Sequence, residues 1–133
     1  MKQRIESSET RQFKAIFPST LNANETLFGG QAMQWTDEVA YITATRFTRQ
    51  RMFTVNTENI CFLKTISPGS FVEVVGRVEK AGPVKLTVQV EIYVEEMYGE
   101  KREKAVEGVF VFAALDDENR PRRISYPIGI TTH

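Results

Sequence analysis

The chain has 133 residues, 41% of them hydrophobic and 26% charged, with 17 Lys plus Arg against 17 Asp plus Glu for a formal net charge of zero. That composition suits one globular domain able to bury roughly two-thirds of its unfolded surface. It excludes the basic surplus of a nucleic-acid binder, its single cysteine excludes an intrachain disulfide, and no apolar run approaches the ~20 residues that span a bilayer.

The first residues, MKQRIESSETRQF, hold no apolar core of the signal-peptide kind. A soluble, cytoplasmic protein without membrane contact is therefore expected. TRQFKAIFP mixes aromatic and β-branched residues and stops at Pro18, which predicts a short first strand. STLNANET is a polar loop. A helix is predicted over about 28–47. At 100° per residue Met33, Ala40, Ala44 and Phe47 fall on one side, and Ala32, Val39, Trp35 and Ile42 extend the apolar arc. Gln34, Glu38 and Thr45 centre a narrow polar arc, so the helix is expected to be largely buried.

Strands follow at FTVNTENICFLK, ended by the turn ISPGS, and at FVEVVGRVEK, closed by AGP. In VKLTVQVEIYVEE, residues Val84, Leu86, Val88, Val90, Ile92 and Val94 face one way. Lys85, Thr87, Gln89, Glu91, Tyr93 and Glu95 face the other, as in a half-buried strand with one wet face. MYGEK turns the chain into a last strand, KAVEGVFVFAAL. The expected organisation is a single domain over 1–133, with a core over about 10–117 and a polar tail over 118–133. Late strands joined by short turns predict antiparallel meander pairing. Such a sheet has one apolar face, and the single helix is the element available to cover it.

Gly29 and Gly30 open the helix. Glycine lets a ligand approach the backbone, and the first helical N–H groups lack internal partners and carry partial positive charge. Such a terminus can hold a developing oxyanion, although a glycine pair also serves a tight turn or close packing. Asp37 lies at the margin of the apolar arc, either as a surface aspartate or as a site carboxylate. What favours a site is the grouping of Asn24, Gly29, Gly30 and Asp37. The only histidine, His133, ends the chain, so Ser-His-Asp and Cys-His chemistry is excluded. Cys61 lies mid-strand, where packing is its expected role. No phosphate-binding glycine loop and no metal-ligand spacing is present, so neither metal nor cofactor is expected. Catalysis would rest on carboxylates, amides, hydroxyls and backbone dipoles.

Three stretches together, FPSTLNANETLFGGQAMQWTDEVAYITATR, VNTENICFLKTISPGSFVEVVGRVEKAGPVKLTVQVEIYVE and VFVFAALDDENRP, resemble the hotdog-fold acyl-coenzyme A thioesterases, in the branch of bacterial and cytosolic acyl-CoA hydrolases. The match runs over about 17–121. The resemblance implies an α+β hotdog fold, a five-stranded antiparallel sheet wrapped round one long central helix. It also implies homodimers with a joined ten-stranded sheet, often built into trimers of dimers. It makes acyl-CoA the substrate and Asp37 the catalytic carboxylate, acting as a general base. The carbonyl would rest on N–H groups near Gly29 and Gly30, with Asn24 supplied by the opposite subunit. Phe28, Thr57, Lys64, Gly82 and Lys85 would meet substrate or coenzyme. Arg77, Lys80 and the basic run at 120–123 are further candidates for its phosphates.

The chain departs from the family pattern at Glu25, where glycine is frequent, at Thr65, where proline is common, and at Pro83 and Val84, where small polar or basic residues are usual. A hotdog dehydratase acting on acyl thioesters would use a histidine, which this chain lacks internally. A non-catalytic acyl-CoA-binding module is the other alternative.

Overall fold

The computed structural model describes residues 2–17 and 29–126. In chain order these form α1 (Lys2–Ser8), β1 (Thr10–Ala15), α2 (Gly29–Thr48), β2 (Arg51–Phe62), β3 (Ser70–Ala81), β4 (Leu86–Glu96), β5 (Arg102–Leu115) and β6 (Pro121–Arg122). The principal strands lie in the order β1-β3-β4-β5-β2, all antiparallel, with β6 adding two residues beside β5. The meander holds for β3, β4 and β5. The connection after β2 is not a hairpin: β2 pairs with β5, so residues 63–69 carry the chain across the sheet to β3. That crossing turns at Pro68–Gly69, where Gly69 takes a φ of 79°, a left-handed value that glycine adopts without steric cost.

The helix covers the face carrying Val72, Val74, Val78, Leu86, Val88, Val90, Ile92, Phe110 and Phe112, which form one core with Ala32, Trp35, Val39, Ala40, Ala44 and Phe47. Its buried stripe also holds Thr36, Thr43 and Thr48. Their hydroxyls donate to the carbonyls of Met33 (2.8 Å), Val39 (2.8 Å) and Ala44 (2.9 Å), so these polar atoms are satisfied within the helix. The expected narrow polar arc is present at Gln34 and Glu38 and widens to Asp37 and Tyr41, all four exposed, whereas Thr45 is half-buried. Helix and sheet meet closely at Gly76, where a methyl group in place of the glycine hydrogen would lie 2.5 Å from Thr43 Oγ1 and 2.9 Å from Val39 Cγ1.

The sequence pattern does not single out α1. Only Ile5 of this short helix packs on the core. Arginines hold it in place: Arg4 donates to the Phe47 carbonyl (2.8 Å), and Arg46 donates to the carbonyls of Ser7 (2.7 Å) and Glu9 (3.0 Å).

The outer face of β4 is part-exposed at Thr87, Gln89, Tyr93 and Glu95, as expected of a wet face, but acids on this side of the sheet are buried. Glu73 and Glu91 are only 4% and 5% exposed. Glu73 pairs with Arg102 (2.6 Å) and Arg11 (3.2 Å), and Glu91 pairs with Lys104 (2.6 Å) and accepts from the Tyr93 hydroxyl (3.0 Å). Burial alone would raise the Glu91 carboxyl, but hydrogen bonds from Lys104 and Tyr93 hold it below its ordinary 4.5. A carboxylate depressed on folding stabilises the fold above its unfolded pKa, and that contribution is lost as pH falls through the folded value. Thermal melts of the wild type and Glu91→Gln are therefore expected to converge between about pH 6 and about pH 3. A constant gap across that range would show that Glu91 stays ionised or plays no part in acid lability.

Candidate active site

Gly29 and Gly30 occupy the first two positions of α2, so their N–H groups belong to the helical turn without internal acceptors. Asp37 follows about two turns later. It is exposed and makes no hydrogen bond or ion pair among the described residues. The carboxylate is therefore uncommitted among the described residues, flanked along the exposed face by Gln34, Glu38 and Tyr41. No described groove of the single chain includes Asp37. Asn24 and Phe28 lie outside the described residues.

The edge strand β2 presents a second set of groups. Thr54 pairs with Phe112 and Thr57 with Phe110, both on the core face, whereas Asn56 and Glu58 pair with Val111 and Val109 on the other face. Strict alternation would put Thr54 and Thr57 on opposite faces. An irregularity in register between Thr54 and Asn56 brings both to the helix side. Both stay exposed, and so do Val55, Phe62 and Leu63 along the same edge and Tyr41 on the helix. One long edge of the sheet thus combines backbone that pairs with no further strand among the described residues with apolar side chains, which is the composition of an association surface.

An open groove of about 410 Å³ lies at the turn between β3 and β4. It is lined by Lys80, Gly82, Pro83, Val84 and Lys85, with Asn56 and Glu58 of β2 opposite. The structure therefore brings the expected Gly82 and Lys85 together and adds Lys80, Asn56 and Glu58. Thr57 and Lys64 do not line this groove: Thr57 is on the other face, and Lys64 follows the end of β2, its N–H bonded to the Ala105 carbonyl (3.2 Å). Arg77 is engaged by Glu9 (3.1 Å). Arg120 pairs with Glu118 (3.5 Å), and Arg122 bonds the Ser125 hydroxyl (2.9 Å). Of the expected cations, Lys80 and Lys85 are the ones that line the groove among the described residues, and Arg123 does not. Asn56 and Glu58 carry no sequence signal of their own beyond flanking Thr57.

The tail returns over this end of the molecule. The Ile124 N–H donates to the Pro83 carbonyl (2.8 Å), and the Tyr126 hydroxyl donates to the Gly82 carbonyl (2.7 Å). The Tyr126 ring stands edge-on to Phe47, with centroids 5.7 Å apart. Burial pushes the Tyr126 phenol up to about 12. Ile124 joins the core, so the polar run after β5 carries a packed segment. Among the described residues no cluster of His, Cys, Asp or Glu could hold a metal ion, and no helix is long and apolar enough to cross a membrane.

The family model for the thioesterase superfamily matches residues 24–100, more than half of the sequence, and the chain belongs to that superfamily; its sheet-and-helix architecture is the hotdog fold. Within it, the chain is similar to the acyl-CoA thioester hydrolase YciA of Salmonella typhimurium, 32% identical over 79% of this chain and 81% of that protein. An uncharacterized acyl-CoA thioester hydrolase of Haemophilus influenzae is 34% identical over 80% of this chain and 71% of its own length.

Among solved structures, the Staphylococcus aureus acyl-CoA hydrolase in complex with butyryl coenzyme A superposes with a TM-score of 0.85 at 31% identity, covering 92% of this chain and 74% of that one. A hexameric thioesterase from Yersinia pestis gives 0.79 at 31% identity, covering 87% and 94%. The Staphylococcus aureus enzyme has also been solved with an aspartate, a threonine and an asparagine each replaced by alanine. The asparagine lies fifteen residues before the aspartate and the threonine seventeen after it.

Proposed function

We propose that this chain hydrolyses acyl-coenzyme A thioesters to the free acid and coenzyme A, with Asp37 as general base. The observation that carries this reading is the Asp37 carboxylate, without a partner among the described residues, on the exposed face of a helix that opens on Gly29-Gly30. Attack on a thioester builds negative charge on the carbonyl oxygen, and one preorganised donor there contributes about 3 kcal/mol. The N–H groups at the start of α2 are such donors. A carboxylate that takes a proton from water adds ~10²–10⁴-fold. The thiolate leaves without needing a strong acid, so a site without histidine suffices. The reading needs no cofactor beyond the substrate's own coenzyme.

The site is completed by a second copy. Tyr126 touches both Phe47 and the groove turn, so the groove sits at the C-terminal end of α2. Gly29 is at the other end of a 20-residue helix, about 27 Å away along its axis. Two chains related by a two-fold axis at the β2 edge reverse this arrangement and bring each groove toward the other chain's helix start. Joining at β2 would give a ten-stranded sheet and cover the exposed Phe62 and Leu63. Lys80 and Lys85 of one protomer would then meet the coenzyme's phosphates while the other protomer's Asp37 meets the thioester. A trimer of such dimers would match the hexameric relatives.

The intervals in the Staphylococcus aureus variants, counted from Asp37, fall on Asn22 and Thr54. This favours Asn22 over Asn24 for the site amide and adds Thr54, on the helix side of β2, to the threonine first expected at 57. Thiol release from acyl-CoA of several chain lengths tests the activity. In that assay Asn22→Ala is expected to lower kcat about 10²-fold and Asn24→Ala much less, whereas the reverse order would restore Asn24. Failure to release thiol from any chain length would leave only acyl-CoA binding.

A further inference from the structure

The tail following β5 makes no contact that hydrolysis itself requires, yet it is bonded to the groove at consecutive carbonyls. The turn at 82–85 is closed by a single backbone bond, from the Gly82 N–H to the Lys85 carbonyl (2.9 Å). Its Pro83, Val84 and Lys85 line the groove. The Gly82 carbonyl accepts from the Tyr126 hydroxyl and the Pro83 carbonyl from the Ile124 N–H. The other end of this attachment is equally defined. The Tyr126 ring packs edge-on against Phe47 in the last turn of α2, Ile124 is buried in the core, and the Ser125 N–H donates to Gln50 Oε1 just beyond the helix (3.1 Å).

We propose that Tyr126 is a positioning residue for coenzyme binding: its hydroxyl, anchored through its ring on Phe47, fixes the Gly82–Lys85 turn so that Lys85 faces the phosphorylated end of the substrate. This rests on the groove's receiving the coenzyme. The mechanism is preorganisation. A turn already held in its binding conformation loses less conformational freedom when the ligand arrives. The raised phenol supports the geometry, since a neutral hydroxyl remains available as donor throughout the working pH range.

The test compares two substrates, an acyl-CoA and the same acyl group on N-acetylcysteamine, which lacks the nucleotide and phosphates. Tyr126→Phe keeps the ring on Phe47 and removes only the hydroxyl. The expected result is a rise in KM for acyl-CoA of about five- to tenfold with kcat retained. The ratio of kcat/KM for acyl-CoA over the truncated thioester should fall by the same factor. A parallel Lys80→Ala/Lys85→Ala variant tests the groove itself, and the same ratio should fall at least tenfold.

If the lysine variant lowers the ratio and Tyr126→Phe does not, the positioning role is overturned while the groove stands. If Tyr126→Phe lowers both substrates equally, the hydroxyl serves stability alone and the proposal is again overturned. If the lysine variant leaves the ratio unchanged, the groove does not bind the coenzyme, and the role of Tyr126 falls with it.

Discussion

Asp37→Asn is expected to reduce thioester hydrolysis ~10²–10⁴-fold, with little change in KM and no change in folding or assembly. The substitution keeps the shape and removes the base. The side chain is exposed and has no partner among the described residues, so no ion pair or buried hydrogen bond is lost with the charge. A fall in kcat without a fall in melting temperature would therefore locate the effect in the chemistry. Mixing experiments extend the test to the geometry. Co-assembly of Asp37→Asn with Lys80→Ala/Lys85→Ala places both defects in one of the two sites and leaves the other intact if grooves serve the opposite chain's helix. Activity would recover toward half that of the wild type. If each groove served its own helix, every site would carry one defect and mixing would restore nothing.

The largest expected effect on folding comes from Gly76. A Cβ there would sit 2.5 Å from Thr43 Oγ1, 2.9 Å from Val39 Cγ1 and 3.4 Å from the Val39 carbonyl oxygen. The last of these is helix backbone and cannot rotate away. Thr43 is itself fully buried and bonded to that same carbonyl. Gly76→Ala is expected to cost about 3 kcal/mol, a fall of roughly 10 °C in melting temperature. Gly76→Val should leave little folded protein, since such a domain holds only ~5–15 kcal/mol in total. Because α2 carries Gly29, Gly30 and Asp37, any folded Gly76→Ala protein should also lose activity as the helix lifts from the sheet. Gly108→Ala provides the contrast. There the obstacle to the new methyl is the Cδ1 tip of Ile60, and a flexible side chain can move. Urea denaturation of the two alanine variants ranks them, and a smaller loss at Gly76 than at Gly108 would contradict this packing.

Periodicity in the sequence was sufficient for α2, β3, β4 and β5, because each buries one face against the other layer and the spacing of apolar residues records it. The edge strand β2 buries only Met52 and was legible from its β-branched and aromatic residues and its bounding turn instead. It could not locate α1, whose seven residues hold a single packed apolar side chain and depend on Arg4 and Arg46 reaching from or to distant carbonyls. Nor could it separate Glu73 and Glu91 from ordinary wet-face acids. Their burial depends on arginine and lysine partners placed opposite by strand register. At the site, Asp37 and the glycine pair were legible as residue types at a helix start. The groove was only half legible. Gly82 and Lys85 adjoin in sequence, but Lys80, Asn56 and Glu58 arrive through pairing, and Arg77 proved to be held by Glu9. The shared face of Thr54 and Thr57 depends on one extra residue at Val55, and a single sequence does not announce such an insertion.

The irregularity further along β2 has a consequence for how copies of the chain recognise each other. Asn59 takes a left-handed φ of 52°, and the register between Glu58 and Cys61 shifts there, seating Ile60 directly above Gly108. A bare strand edge is ordinarily free to slip by two residues and to template disordered aggregates. Ile60 acts as a detent: β2 cannot slide along β5 without lifting that side chain from the notch left by a missing Cβ. The sequence of donors and acceptors offered to a partner is thereby locked, and only one alignment of two chains satisfies it.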